Sequence, residues 1–328
     1  MSSSSKSEAR SIVQRFAVPF FILGTFLIAL LFWLVPRFLG LQDAVAFRHW
    51  VALGSFAPAL MALILQISDS QTRQRWIQGR GPENLVLSIL AVGALYFICL
   101  PYASTTTFQV SLWGWTARVL LFIAGGAVLY SVLRRTTFPQ RLQGWLVWLS
   151  AALTYPLLML LAWAIWTRFG ATAQINLPEG GTGRLALSLL ASYVYFFLFG
   201  GVLGGEPGWR GWLFPRLLNR MPFWTAVLAV GVLEALWVVP LYFNGYYLTG
   251  NLLWQELAVR GLLTLVYAVW LGWVWVRLQG NLFPVMLLRT GMAVTPLFIA
   301  ITPLSWGFLA VIALILLLNL RRFEMHSG

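Results

Sequence analysis

The sequence predicts an all-α fold: a polytopic bundle of transmembrane helices. Three observations carry this. Of 328 residues 60% are hydrophobic and only 9% are charged, against about 25% charged in soluble domains. Apolar stretches long enough to cross a bilayer, roughly 20 residues each, recur along the whole chain. Basic residues concentrate in alternate loops, as the positive-inside tendency requires. Disulfide scaffolds are excluded because Cys99 is the only cysteine. The net charge of +13 follows from loop arginines and does not imply nucleic acid, since no basic stripe carries interleaved stacking aromatics. The 18 tryptophans suit interfacial belts and core packing.

Ten spans are expected in order: Phe16–Val35, Trp50–Ile67, Leu85–Pro101, Leu112–Leu133, Leu142–Trp166, Leu185–Gly204, Phe223–Tyr242, Leu252–Val276, Leu282–Ile301 and Trp306–Leu320. The third and tenth are short, so the expected range is 8–10. The first is too long for a signal-peptide core and lacks a small-residue cleavage site, so it is retained. The tail 1–15 is polar, Ser-rich and expected to be disordered. Lys6, Arg10 and Arg15 lie on it. Arg73, Arg75 and Arg80 continue on the same side, then Arg134, Arg135 and Arg141, then Arg210, Arg216 and Arg220, then Arg277, and finally Arg321 and Arg322. The opposite loops hold only Arg37, Arg48, Arg168 and Arg184. This 15-to-4 alternation places both termini in the cytoplasm. The expected organisation is a tail (1–15), N-terminal transmembrane helices (16–184), a C-terminal helical core (185–320) and a second cytoplasmic tail (321–328).

Function is sought among ionisable groups at membrane depth, which are costly and therefore candidates by default. Glu83 follows Gly81-Pro82 and reads as a helix-start carboxylate. Glu256 and Arg260, spaced i, i+4, read as a self-neutralised pair on one helix face. The loop Leu177-Pro178-Glu179-Gly180-Gly181-Thr182-Gly183 is Gly-rich but follows no strand and lacks a phosphate-loop ending. The stretch Gly204-Gly205-Glu206-Pro207-Gly208-Trp209-Arg210-Gly211-Trp212-Leu213-Phe214-Pro215-Arg216 stands apart. It closes a span containing Gly200, Gly201, Gly204 and Gly205, where small residues allow close helix approach, and sets a carboxylate and an arginine one turn apart at the membrane edge. The bland reading is a neutralised pair closing a helix hairpin.

This stretch resembles the first motif of the CAAX protease and bacteriocin-processing family, the intramembrane glutamic proteases or type II CAAX prenyl endopeptidases, in which Glu-Glu-x-x-x-Arg lies within strings such as EELGWRGFLLPRL. Ala235-Leu236-Trp237-Val238-Val239-Pro240-Leu241 is similar to their LWHLPL segment. Gly280-Asn281-Leu282-Phe283-Pro284-Val285-Met286-Leu287-Leu288-Arg289 is similar to GNLLPAILLH, with Ala293 four residues on. The resemblance covers about Leu185–Leu320. It implies a protease-fold core in which the first glutamate activates water, helped by the second-motif histidine, while the third-motif histidine and Asn/Asp stabilise the oxyanion. Carried over residue by residue, those positions are Gly205, Val238, Arg289 and Ala293. Glu206 and Arg210 remain, in supporting positions.

Peptide hydrolysis needs a base within reach of the water and donors at the oxyanion. Glycine, valine and alanine side chains supply neither. His49 and His326 lie outside the apolar runs, so no histidine substitutes. A Ser-His-Asp triad and a His-based zinc site are excluded on the same ground. A Ser–Lys dyad fails because Lys6 is the only lysine. No cofactor and no metal are expected. Glu234 stands one turn before Val238 on the same face, and Arg289 replaces a histidine facing that helix. The favoured reading is an ion pair between them, since each charge alone is expensive. The rival is Glu234 as a relocated general base with Arg289 as oxyanion donor, which an arginine partner disfavours by weakening the carboxylate as a base.

The expected function is a catalytically inactive member of this family, a pseudoprotease that binds or scaffolds in the membrane. The alternative is an active intramembrane endopeptidase using Glu206 and Glu234 in altered geometry. A transporter is disfavoured, because neither inverted repeats nor paired broken helices are visible. Expected partners are membrane lipids and another membrane protein or a lipidated peptide, in the plasma membrane of a prokaryote.

Overall fold

The structure, a computed structural model, describes residues 16–38, 40, 44–68, 138–168, 181–247 and 253–299. Among these residues the helices are α1 (Ala17–Phe38), α2 (Ala44–Gly54), α3 (Ala57–Ser68), α4 (Phe138–Arg168), α5 (Gly181–Leu198), α6 (Val202–Gly208), a π-helical turn (Trp209–Leu213), α7 (Phe214–Leu218), α8 (Phe223–Phe243), α9 (Leu253–Arg277) and α10 (Leu282–Phe298). Six helical stretches are long and apolar enough to cross a membrane: Ala17–Phe38, Trp50–Ser68, Trp145–Ile165, Gly181–Leu198, Phe223–Phe243 and Leu253–Arg277. Leu282–Phe298 is apolar but shorter. The all-helical, multi-pass expectation therefore holds. The expected spans Leu85–Pro101, Leu112–Leu133 and Trp306–Leu320, together with Glu83, Cys99 and both terminal tails, lie outside the described residues.

The helices bear the mark of a bilayer solvent. On α1 the buried positions Phe21, Thr25, Ala29 and Trp33 alternate with exposed Phe20, Leu23, Leu27 and Leu31. The same helical period on α4 buries Trp148, Tyr155 and Met159 and exposes Leu149, Leu153, Leu157 and Leu160. Both faces are apolar. In water the outer face would be charged, whereas a helix with every backbone bond satisfied internally can present leucine to lipid at no cost. Helix α5 buries none of its residues.

Three expected spans are shaped differently from their sequence reading. The second is broken by a turn at Ser55–Phe56 between α2 and α3. There Ser55 donates its hydroxyl to the carbonyl of Ala52, a local bond that competes with the helix ladder. The sixth starts at Gly181, inside what reads as a loop, and stops at Leu198. Gly201 interrupts it with φ 87° as the N-cap of α6, a left-handed conformation open to glycine and costly for other residues. The ninth ends at Phe298.

The chain divides into two compact units. The first comprises Met1–Leu142, Leu198–Met221 and Trp237–Gly250. In it α6 lies on α3 by glycine contact. A Cβ on Gly208 would stand 2.4 Å from the carbonyl carbon of Pro58, and one on Gly204 would stand 2.7 Å from the carbonyl oxygen of Ser55. Gly204 and Gly208 thus form a G-x-x-x-G contact face, the spacing that lets helix backbones touch. Beside it Phe21 stacks on Trp212 at 4.7 Å and meets Trp209 edge-on at 5.6 Å. Trp33 packs on Trp237 at 5.0 Å and donates its indole N–H to the carbonyl of Val51 at 3.1 Å.

The second unit comprises Gln143–Phe197, Pro222–Leu236 and Asn251–Gly328. Its core draws Tyr155 and Met159 from α4, Leu263, Trp270 and Leu271 from α9, and Val285, Leu288 and Met292 from α10. Tyr193 of α5 donates its hydroxyl to the carbonyl of Ala152 on α4. A turn with Gly280 at φ 82° leads into α10. Asn281 caps that helix, its side-chain oxygen accepting from the N–H of Phe283 at 3.2 Å, as N-cap residues do. The Gly280-Asn281 dipeptide of the third motif is therefore a helix-start device.

Candidate functional site

The first motif is one continuous helical rod with a register change in its middle. Pro207 lies inside α6 and Pro215 at the start of α7. Each lacks the N–H that would bond four residues back. Between them the ladder widens to five-residue spacing, with the N–H of Phe214 bonding the carbonyl of Trp209. Such π turns insert one extra residue per turn and re-aim the side chains beyond them. Arg210 sits at this turn.

Glu206 and Arg210 meet as the sequence anticipates, with Nη1 to Oε1 at 3.3 Å. Both are buried within the first unit: Glu206 is 2% exposed and Arg210 1%. Their neighbours along the rod, Trp209, Trp212, Leu213 and Phe214, are buried as well. Two charges withdrawn from solvent are costly to separate, because removing one leaves the other buried without this partner. Further along, Arg216 donates to the carbonyl of Trp212 at 2.9 Å and lies 3.9 Å from the centre of its ring, a cation–π contact that closes the rod's end.

Gly205, the position that the motif resemblance would assign to a water-activating glutamate, is buried in α6. A Cβ built there would meet nothing nearer than Cδ1 of Trp209 at 3.6 Å. That is ordinary van der Waals contact, in contrast to Gly204 and Gly208. Backbone packing therefore imposes glycine at 204 and 208, but not at 205.

The remaining candidates fall elsewhere. Glu234 is 4% exposed in the portion of α8 that belongs to the second unit. One turn earlier on α8, Gly231 is pressed against α9, where a Cβ would stand 2.8 Å from Cβ of Ala268. Arg289 on α10 is half-buried. Its guanidinium carbon stands 5.8 Å from the ring centre of Tyr267. Val238 and Ala293 are half-buried and carry no polar group. Glu256 and Arg260 pair at 3.3 Å on an exposed face of α9, as their spacing predicts. Among the described residues no group of three or more His, Cys, Asp or Glu could hold a metal ion.

Sequence reasoning missed two features. One is Gly208, whose four-residue spacing from Gly204 was a readable signal. The other is a phenol pair in the second unit, the hydroxyls of Tyr155 and Tyr267 at 2.6 Å. Those residues are far apart in the chain and join only because α4 and α9 pack together.

No curated protein and no solved structure matches the chain. The residues that carry the first-motif pair, α8, α9 and the body of α10 do match a family. Residues 186–295 of this multi-pass helical protein, a third of the chain, are similar to the Type II CAAX prenyl endopeptidase Rce1-like family.

Proposed function

We propose that this Rce1-like protein is a non-hydrolytic member of its kind, a binding or scaffold subunit of the membrane. The observation that carries this reading is the first motif. Where a water-activating carboxylate would stand, Gly205 has no side chain, and the adjacent carboxylate, Glu206, is held in a buried pair with Arg210 at 3.3 Å. A general base needs a lone pair directed at water, whereas Oε1 of Glu206 faces a guanidinium. Val238, Arg289 and Ala293 complete the substitution, since none offers the imidazole or amide the family chemistry uses. The partners proposed are membrane lipids and a second membrane protein or lipidated peptide, in a prokaryotic plasma membrane with both termini cytoplasmic.

In the second unit, we read Glu234 and Arg289 as an ion pair that replaces the lost polar groups. The charge-swapped double variant E234R/R289E is expected to recover most of the stability lost in either single variant; failure to recover any would remove the pairing. The burial of Glu234 also favours a second reading, Glu234 as a relocated base of an active endopeptidase. One experiment separates the two functions. Purified full-length protein is incubated with prenylated and unmodified peptides, beside E206Q and E234Q. The scaffold reading expects no turnover in any sample and stable co-purification of a partner in mild detergent. Turnover by the unmodified chain that E234Q abolishes would establish the enzyme instead.

A further inference from the structure

Pro156 lies inside α4. It has no N–H, so the helix ladder offers no donor from this position to the carbonyl four residues back, that of Ala152. At membrane depth such a carbonyl costs several kcal/mol unless another group bonds it. Tyr193 of α5 supplies the bond by donating its hydroxyl to Ala152. The phenol thus does for α4 what a backbone N–H does elsewhere along that helix. Helix α10 leaves room for it: a Cβ on Gly291 would stand 2.8 Å from the Tyr193 hydroxyl and 3.0 Å from the carbonyl oxygen of Ala152.

Helix α5 has the build of a rod that can move as one piece. None of its residues is buried, and Leu187 and Leu190 are 67% and 63% exposed. Gly181 at its start has φ 82°, and Gly201 beyond its end has φ 87°. A Cβ on Gly181 would meet nothing within 4 Å. Small residues at element ends are where a chain absorbs the dihedral change of a hinge. Phe197 meets Phe283 of α10 edge to face at 5.9 Å. Acyl chains can replace an apolar contact of that kind, because lipid is as apolar as the side chains themselves. They cannot replace the Tyr193 bond, since they carry no donor.

We propose that α5 is a hinged helix with two positions, latched against α4 by Tyr193 on the proline-freed carbonyl of Ala152. In the released position Ala152 loses this donor, which keeps that state minor. Any change that weakens the bond, or that gives the carbonyl another donor, shifts the balance toward release. Gly291 is part of the latch, because a larger residue would stand where the hydroxyl and the carbonyl meet. This goes beyond the scaffold reading and does not depend on it, since none of these three residues belongs to the groups on which peptide chemistry would turn.

The test measures the distance between two spin labels in the full-length protein in detergent micelles. The labels sit on cysteines replacing Leu157 of α4 and Leu190 of α5, with Cys99 changed to serine. Both positions are exposed, 58% and 63%, so the labels leave the packing between the helices intact. One main distance and a minor longer one are expected. Y193F should raise the longer-distance fraction about 3–10-fold, the factor that one neutral hydrogen bond corresponds to. G291A, which sets a methyl group against the hydroxyl, should raise it as well while keeping both bonding partners. P156A returns an N–H to the Ala152 carbonyl, so in that background Y193F should change the fraction less than about twofold, a coupling that distant and independent sites do not show. A single distance that neither Y193F nor G291A alters would overturn the proposal. So would a Y193F effect equally large with and without P156A, since the carbonyl freed by the proline would then not be what the hydroxyl holds.

Discussion

The chain contains the same ion pair twice, in two opposite settings. Glu206–Arg210 and Glu256–Arg260 are both Glu-x-x-x-Arg pairs on one helix face, and both close at 3.3 Å. The first lies wholly inside its unit, with side chains 2% and 1% exposed, whereas the second is 43% and 51% exposed. Local geometry is therefore not the difference. In an exposed pair each charge keeps its solvation, and the contact contributes little. In a buried pair each charge has given up solvent and relies on the other, so the pair stabilises less than its loss would cost. An identical sequence code is thus incidental on α9 and structurally required on the α6–α7 rod.

The comparison breaks most sharply at Arg210. R210M removes the guanidinium paired with buried Glu206 and is expected to cost about 3–5 kcal/mol, read as a large fall in the thermal unfolding midpoint in a fixed detergent. An unchanged midpoint would mean that the pair is not buried. Next comes the platform that buries it. G208A places a methyl group where the backbone of Pro58 stands, 2.4 Å from its carbonyl carbon. Because that neighbour is backbone and cannot rotate away, a loss of about 1–3 kcal/mol or more is expected. G205A, where the nearest atom would be 3.6 Å off, should leave the midpoint near that of the unmodified protein. The two alanines together test whether only one side of α6 is closed by packing.

A smaller effect sharpens the electrostatic half. Replacing both partners, as in E206L/R210M, removes the remaining buried charge along with the pair. It should recover most of what R210M loses, ending within about 2 kcal/mol of the unmodified protein. If the double variant is as unstable as R210M alone, the pair contributes something that desolvation does not explain. The smallest effect is expected at R260A, below about 1 kcal/mol and shrinking further as salt is raised. The R210M defect should be insensitive to salt, since ions do not reach a buried site. Matching salt dependence at the two arginines would collapse the distinction.

How much of this was legible in advance can be followed residue by residue. The bilayer reading rests on composition, and the exposed leucines on α1 and α4 agree with it. Both i, i+4 pairs were readable because helical spacing is a local property. Where the reading went astray, the signal was present but ambiguous. An apolar run does not reveal that Ser55 will bond back to Ala52, or that Gly201 will break a helix, because glycine and serine are also tolerated within spans. The sequence offers Gly200, Gly201, Gly204 and Gly205 for close helix approach, whereas the tightest contacts fall at Gly204 and Gly208. Small residues permit close approach, but only the partner helix decides which of them is used.

By itself the sequence determined what local spacing and composition govern: an all-helical membrane chain and the two Glu-x-x-x-Arg pairs. Tertiary structure decided burial and long-range company. It put one pair inside and the other outside, pressed α6 onto α3, and brought Tyr155, Tyr267 and Arg289 together from three helices. The physical reason is that helix formation and hydropathy are summed over neighbours in the chain. Solvation of a charge, and the meeting of two hydroxyls 112 residues apart, depend instead on which faces pack, and no short window of sequence contains that information.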